Sequence, residues 1–315
     1  MGLIANPQET RGSLWQLLGD IPAPGRPQAS LISRREEKTY SLEHFSFENG
    51  IGDTVYGYLI LPRNIDYPAP ALLYHHEHGG KYSLGKDAAI KIRENGYAPG
   101  LALAEAGFVV MAIDAYGFGQ REHQGPAGAR ESGRATELSL FKHFLWQGKT
   151  LWGMMLHDDL TALATLQSRP EVDEDRIGAV GMSLGASRTT WVGALAESVK
   201  AVAPISQMTR YRDFADAGDL AQHGIYYYVP GVLASGLDME HIVALTAPRH
   251  QLILTGDSDP LSPLSGIHKV MDFAQQVYRE QGAEDKLELV LYEGVAHAYL
   301  PAMMEAALGF FRRTL

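Results

Sequence analysis

The 315-residue chain contains no cysteine, which excludes disulfides, thiolate metal centres and a cysteine nucleophile together. Any covalent catalysis therefore falls to another residue. No stretch approaches the roughly 20 apolar residues needed to span a bilayer. The opening MGLIANPQETRGSLW lacks the basic segment and apolar core of a secretory leader, and Asn6 stands where the N-myristoylation pattern needs serine or threonine. The expectation is a cytoplasmic protein without a membrane partner. Positive charge is scarce as well, with 27 Lys and Arg against 37 Asp and Glu and a net charge of −10. A phosphate-binding face is not suggested, so nucleic acid is not an expected partner; a small uncharged molecule such as an ester suits the balance better. Internal repeats, long charge blocks and low-complexity linkers are missing. One domain over residues 1–315 is expected, and a homo-oligomer is left open.

What is present fits an ordinary globular α/β chain: 45% hydrophobic residues, 20% charged residues and 33 glycines. An N-terminal helical extension covers about 1–30, with IPAPGRP at 21–27 reading as a hinge to the body. Residues 39–48 and 54–62 flank the turn NGIGD and predict an antiparallel hairpin. The pattern then changes to short apolar runs separated by helical stretches: PALLYHH, GFVVMAIDA, RIGAVGMS, KAVAPIS, QLILTGD and LELVLYEG. Runs without alternation suit strands buried on both faces of a parallel sheet. Between the last two, Val270, Phe273, Ala274, Val277 and Tyr278 follow helical spacing, which predicts a helix over 265–280. The fold class is thus α/β, a mostly parallel doubly wound sheet led by an antiparallel hairpin, and in such sheets ligands bind at the carboxyl ends of the strands.

GAVGMSLGAS places Ser183 in that position. Gly181-Met182-Ser183-Leu184-Gly185 is a G-x-S-x-G pentapeptide between a strand-like and a helix-like run, which is the context a nucleophile elbow requires. A chance glycine-rich turn is the competing explanation, and the flanking elements make it the poorer one. A serine hydroxyl is a weak nucleophile at neutral pH and needs a histidine base oriented by a carboxylate. In this type of fold the chain order is serine, acid, histidine. QLILTGDSDPLSP supplies Asp257 and Asp259 directly after a strand, and EGVAHAYL supplies His297 after the last strand. Asp259 is favoured as the acid because a loop can swing it toward His297, leaving Asp257 to bond locally. An oxyanion hole needs the N–H after the nucleophile, Leu184, and a second N–H from the loop after the third expected strand. That loop reads LLYHHEHGGKYSLGKD, and His78 is the chosen donor. His75, His76, Glu77 and His78 also raise a metal reading, but neighbours in an extended run point apart; neither a metal nor any other cofactor is expected.

Taken together, SLWQLLGDIP, DAYGFGQRE, SRPEVDEDRIGAVGMSLGA, YVPGVL, HIVALTAPRHQLILTGDSDPLSP and EGVAHAYL resemble the α/β-hydrolase family, in its dienelactone-hydrolase and acetyl-xylan-esterase-like branch. The resemblance runs over nearly the whole chain and implies Ser183 as nucleophile, Asp259 as acid and His297 as base. The sequence departs from the family pattern at His76-Glu77, where relatives commonly have His-Gly, and at Ala186, where many have glycine.

Residues 207–247, aromatic at HGIYYYVPGVL, read as a lid insertion between two strands, with Tyr226 and Tyr227 facing a substrate pocket. Packing within the insertion is the alternative for each tyrosine. DAYGFGQRE places Tyr116, Phe118 and Arg121 near the same mouth, with an ordinary ion pair the stronger reading of Arg121. The expected activity is hydrolysis of carboxylic esters, small acyl or acetyl, through an acyl-enzyme. A serine peptidase or amidase on short peptides is the alternative within catalysis, and a non-catalytic binding protein the alternative outside it.

Overall fold

The computed structural model describes residue 4 and residues 6–94, 96–206, 209–218 and 220–315. Helix α1, Pro7–Leu17, starts at an Asn6 cap whose side chain accepts the Gln8 and Glu9 N–H groups, supplying partners to donors that the first turn leaves free. Leu14 and Leu18 have no exposed surface, and Ile21 is buried with them. Asp20 N–H donates to Gly148 O, and Thr150 N–H donates to Leu18 O. The start of the expected hinge is therefore fastened to the body.

Strand β1, Ser30–Glu36, runs along the sheet edge with every residue exposed. Sequence reading missed it because SLISRRE has no buried face and hence no apolar alternation. The strand after it was expected first in the sheet, so each expected ordinal shifts by one. β2, Tyr40–Glu48, and β3, Thr54–Pro62, form the expected hairpin, from Tyr40 opposite Pro62 to Glu48 opposite Thr54. Beside β3 lies β5, Val109–Ile113, and the rest of the sheet continues from it: β4, Ala69–His75; β6, Val172–Met182; β7, Ala201–Ile205; β8, His250–Gly256; and β9, Leu287–Tyr292. Among the described residues the sheet order is β1-β2-β3-β5-β4-β6-β7-β8-β9. β3 meets β5 antiparallel, and every pairing from β5 to β9 is parallel.

Helices cover both faces, which is why the central strands carry uninterrupted apolar runs. On one side lie α4, Leu151–Gln167; α5, Leu184–Leu195; and α8, Leu264–Glu280; on the other lie α2, Pro99–Glu105, and α9, Pro301–Thr314. α8 buries Val270, Ala274, Val277 and Tyr278 along one face, while Phe273 is half-buried at its margin. α3, Arg134–Trp146, leads into α4.

Between β7 and β8 the chain makes α6, Tyr211–Ala217, the short turn Ile225–Tyr227 and α7, Met239–Ala244. Gln207, Met208 and Asp219, which belong to the segment expected as a lid, lie outside the described residues, as do residues 1–3 and 5 of the extension. Among the described residues, no helix is long and apolar enough to cross a membrane.

Candidate active site

The elbow forms because the chain must turn from β6 into α5 within one residue. Ser183 adopts φ 57 and ψ −116, a conformation that costs a non-glycine residue on the order of 1–3 kcal/mol. Two hydrogen bonds hold it there: Ser183 N–H donates to Ile205 O at 2.9 Å, and Ser187 N–H donates to Ser183 O at 3.1 Å. The flanking glycines serve close approach. A Cβ on Gly185 would overlap the His75 carbonyl at the end of β4, and one on Gly181 would strike both that carbonyl and Gly185 O.

The Ser183 hydroxyl lies 2.8 Å from His297 Nε2, and His297 Nδ1 lies 2.7 Å from Asp259 Oδ2. With Nδ1–H donating to the carboxylate, Nε2 is left as the acceptor for the serine hydroxyl. The other carboxylate oxygen of Asp259 accepts the Leu261 N–H at 2.9 Å, so this buried group has partners on both sides. The three side chains come from the carboxyl ends of β6, β8 and β9, where the parallel sheet leaves room for a ligand. Asp257 bonds to its own loop and the one after β9. Its Oδ1 accepts Gly294 N–H at 2.8 Å and the Ser258 hydroxyl at 2.9 Å, pinning the loop that carries His297.

The histidine-rich segment after β4 disperses. His75 Nδ1 meets the Thr189 hydroxyl at 2.8 Å beneath α5. His76 donates from Nδ1 to Glu77 O at 2.9 Å and accepts the Ala115 N–H at Nε2, 3.2 Å away. Burial, reinforced by the Arg188 charge, lowers the His76 pKa to about 3 and holds His75 well below the ordinary imidazole range. Glu77 pairs with Arg93. Among the described residues, no group of three or more potential ligands is arranged to hold a metal ion.

His78, Gly79 and Gly80 do reach the cavity over Ser183, which has a volume of about 690 Å³. The His78 ring accepts Gly80 N–H at Nδ1 and donates from Nε2 to Glu137 at 3.0 Å. Glu137 also accepts from the Tyr82 hydroxyl and the Ile225 N–H, each at 2.5 Å. Burial opposes charge on Glu137, but the bonds from His78, Tyr82 and Ile225 outweigh it and hold the carboxyl below its ordinary range. Sequence reading missed Glu137: nothing in RATELSLFKHF distinguishes it from a solvated helix residue.

The expected pocket residues divide. Tyr227 lines the cavity with Ser183 and His297, and burial raises its pKa and keeps it a neutral O–H group. Tyr226 is fully buried and donates to Tyr116 O at 2.7 Å, anchoring the turn rather than facing a ligand. The placement of Tyr116, Phe118 and Arg121 at the mouth is corrected. Arg121 is buried, bonded to Asp158 at 2.7 Å and lying over the Tyr116 ring at 3.9 Å. The Tyr116 hydroxyl donates to Asp53 at 2.6 Å. Phe118 lies one layer behind the wall, stacked on Tyr82 at 5.1 Å and edge-on to His78 at 5.3 Å. An aromatic residue after a strand end is also what a core needs, and here the core took both aromatics, with Arg121 buried beside them in an ion pair.

A parallel sheet with a serine elbow at its centre, led by an antiparallel hairpin, is the α/β-hydrolase fold. The sequence profile of the dienelactone hydrolase family matches residues 55–307, and the chain belongs to that family of hydrolases. YtaP of Bacillus subtilis (strain 168), whose name calls it a hydrolase, is 35% identical over 286 residues, covering 90% of this chain and 91% of that protein. A glucuronoyl esterase from Solibacter usitatus superposes with a TM-score of 0.69 at 15% identity, covering 96% of this chain and 91% of the other. Acetyl xylan esterase 1 from Thermoanaerobacterium sp. does so at 0.63 and 16% identity, covering 98% and 93%.

Proposed function

We propose that this hydrolase cleaves carboxylic esters through a Ser183, His297 and Asp259 triad and an acyl-enzyme, with small acyl groups, acetyl among them, as its simplest substrates. The observation that carries the reading is the continuous hydrogen-bond chain from Ser183 Oγ through His297 to Asp259, 2.8 and 2.7 Å long, at the floor of the cavity. Oγ attacks the ester carbonyl as Nε2 takes its proton, and Asp259 stabilises the imidazolium that results. The oxyanion is received by the Leu184 N–H, the first of α5 and so without an intrahelical acceptor, and by the backbone of the His78 loop. Collapse of the tetrahedral adduct expels the alcohol, which takes the proton from His297. Water then repeats the sequence on the acyl-enzyme, returning the acid and free Ser183. The acetyl and glucuronoyl esters named for structural neighbours are substrates of the same chemical kind.

The test is turnover of p-nitrophenyl acetate beside an aminoacyl p-nitroanilide, with a fluorophosphonate as covalent label. Ester cleavage well above amide cleavage is expected, with the label on Ser183; Ser183→Ala should lose label and activity by several orders of magnitude. Faster amide cleavage would make the protein a peptidase, and stoichiometric labelling of another serine in an active Ser183→Ala protein would refute the mechanism.

A further inference from the structure

A second cavity of about 440 Å³ adjoins the one above Ser183. Its wall includes Phe141, Phe214, Val229, Val232 and Leu233 from α3, α6 and the segment before α7, so it is almost wholly apolar. The first cavity is also apolar over most of its lining but adds Ser206, Ser262, Gln222 and Arg134. The two share Leu220, His223, Tyr227 and Tyr228. Tyr227 lines both cavities, its ring packed at 5.1 Å against His223 and 5.5 Å against Trp152. His223 Nε2 donates to Leu261 O at 3.2 Å, holding the other part of the partition.

We propose that this apolar cavity is a subsite for the acyl chain of the ester, so that the protein prefers unbranched apolar acyl groups of several carbons over acetate. The inference rests on the ester-hydrolase reading above. An acyl group is bonded to Ser183 Oγ in the intermediate, in the cavity that Tyr227, His223, Leu220 and Tyr228 line, and the same four residues line the adjoining apolar cavity. A cavity of this size falls within the range that holds small ligands, and its walls offer an alkyl chain burial without stranding polar groups. A sugar or a charged acid would lose its hydrogen bonds with water there.

The experiment is a series of p-nitrophenyl esters from acetate to octanoate, with ethyl to hexyl acetates as the matching alcohol series. A buried methylene is worth about threefold to fourfold in binding. With partial burial, kcat/KM should rise about tenfold or more from acetate to hexanoate. Ala215, an exposed residue of α6 on the wall of the cavity, allows the site to be altered with little risk to the fold. Ala215→Trp fills it and Ala215→Asp puts a charge in it; each should lower the hexanoate-to-acetate ratio at least about threefold, and the change should be carried by KM. A flat or falling acyl series, a ratio unmoved by both variants, or a rise confined to the alcohol series overturns the inference while leaving acetate hydrolysis intact. Failure of the wild-type protein to cleave any ester would instead overturn the reading beneath it.

Discussion

Replacing Asp259 by asparagine changes one oxygen of a buried group into an NH2 and leaves its shape alone, so the consequence can be worked out from the hydrogen bonds. Asp259 accepts Leu261 N–H at 2.9 Å on Oδ1 and His297 Nδ1–H at 2.7 Å on Oδ2. Asparagine has only one side-chain oxygen. If that oxygen keeps Leu261, the NH2 faces the imidazole, and the favourable response is a tautomer with Nδ1 as acceptor and the proton on Nε2. Nε2 then points a hydrogen at Ser183, 2.8 Å away, and cannot take the serine proton. If the amide turns over, Leu261 N–H faces an NH2 in a buried place, where an unmet donor costs on the order of 1–3 kcal/mol. The imidazolium formed during attack also loses its counter-ion in either orientation. The expected cost is about 10⁴ in turnover, the scale set by the same substitution in a serine protease triad, equivalent to roughly 5.5 kcal/mol of barrier.

Asp257→Asn keeps an oxygen that can accept Gly294 N–H, and its effect should stay below about tenfold because its hydrogen bonds go to the loop backbone and Ser258 rather than to His297. The assay is steady-state p-nitrophenyl ester hydrolysis at saturating substrate, with thermal melting to show that each variant is folded. A folded Asp259→Asn protein within tenfold of wild type would refute the assignment of the acid. So would a larger loss from Asp257→Asn.

Gly185→Ala should destabilise the protein by at least about 1–3 kcal/mol and cut kcat about 10²-fold, because its methyl group collides with the His75 carbonyl and moves the elbow; an unchanged urea midpoint and rate would refute this. Stability should also fall as pH drops below about 6.5. His76 and His223 have pKa values lowered by burial to about 3 and about 4 from the ordinary 6.5, so below 6.5 the unfolded chain binds protons that the folded one refuses. Protonating His76 would also set a new Nε2–H against the Ala115 N–H, from which Nε2 now accepts. His76 alone should remove about 2 kcal/mol between pH 7 and pH 5, read as a lower urea midpoint, and His76→Gln should flatten that dependence. A wild-type midpoint independent of pH over this range would refute the assignment of buried neutral imidazoles.

The parts of this molecule legible in its sequence are those where local backbone demands and residue chemistry coincide. G-x-S-x-G between an apolar run and a helix is legible because a one-residue turn into a helix needs small flanks wherever it occurs, and the order of serine, acid and histidine follows from three strand ends of one sheet. The hairpin was legible for the same reason, with NGIGD and two apolar flanks stating one structure. The edge strand β1 was not, since its seven residues are all exposed and leave no period to read. The substrate wall was illegible for a different reason. Tyr116, Phe118, Tyr226 and Tyr227 are alike in the sequence, and only the tertiary partners decide which face a cavity: Asp53 takes the first hydroxyl, Tyr82 and His78 cover the second ring, a backbone carbonyl takes the third hydroxyl, and Tyr227 lines the cavity over Ser183. Asp158 and Asp159 sit inside LWGMMLHDDLTALATLQ, a helix buried along most of its length and without a Lys or Arg of its own, and adjacent carboxylates in such a helix must find cations or protons in the core. Asp158 finds Arg121, which removes that arginine from the pocket mouth. Asp159 finds Arg188 on α5, bonded through both oxygens at 2.9 and 2.5 Å. That pair ties α4 to α5, the helix whose first residue follows Ser183, so a buried ion pair fixes the element that carries the elbow.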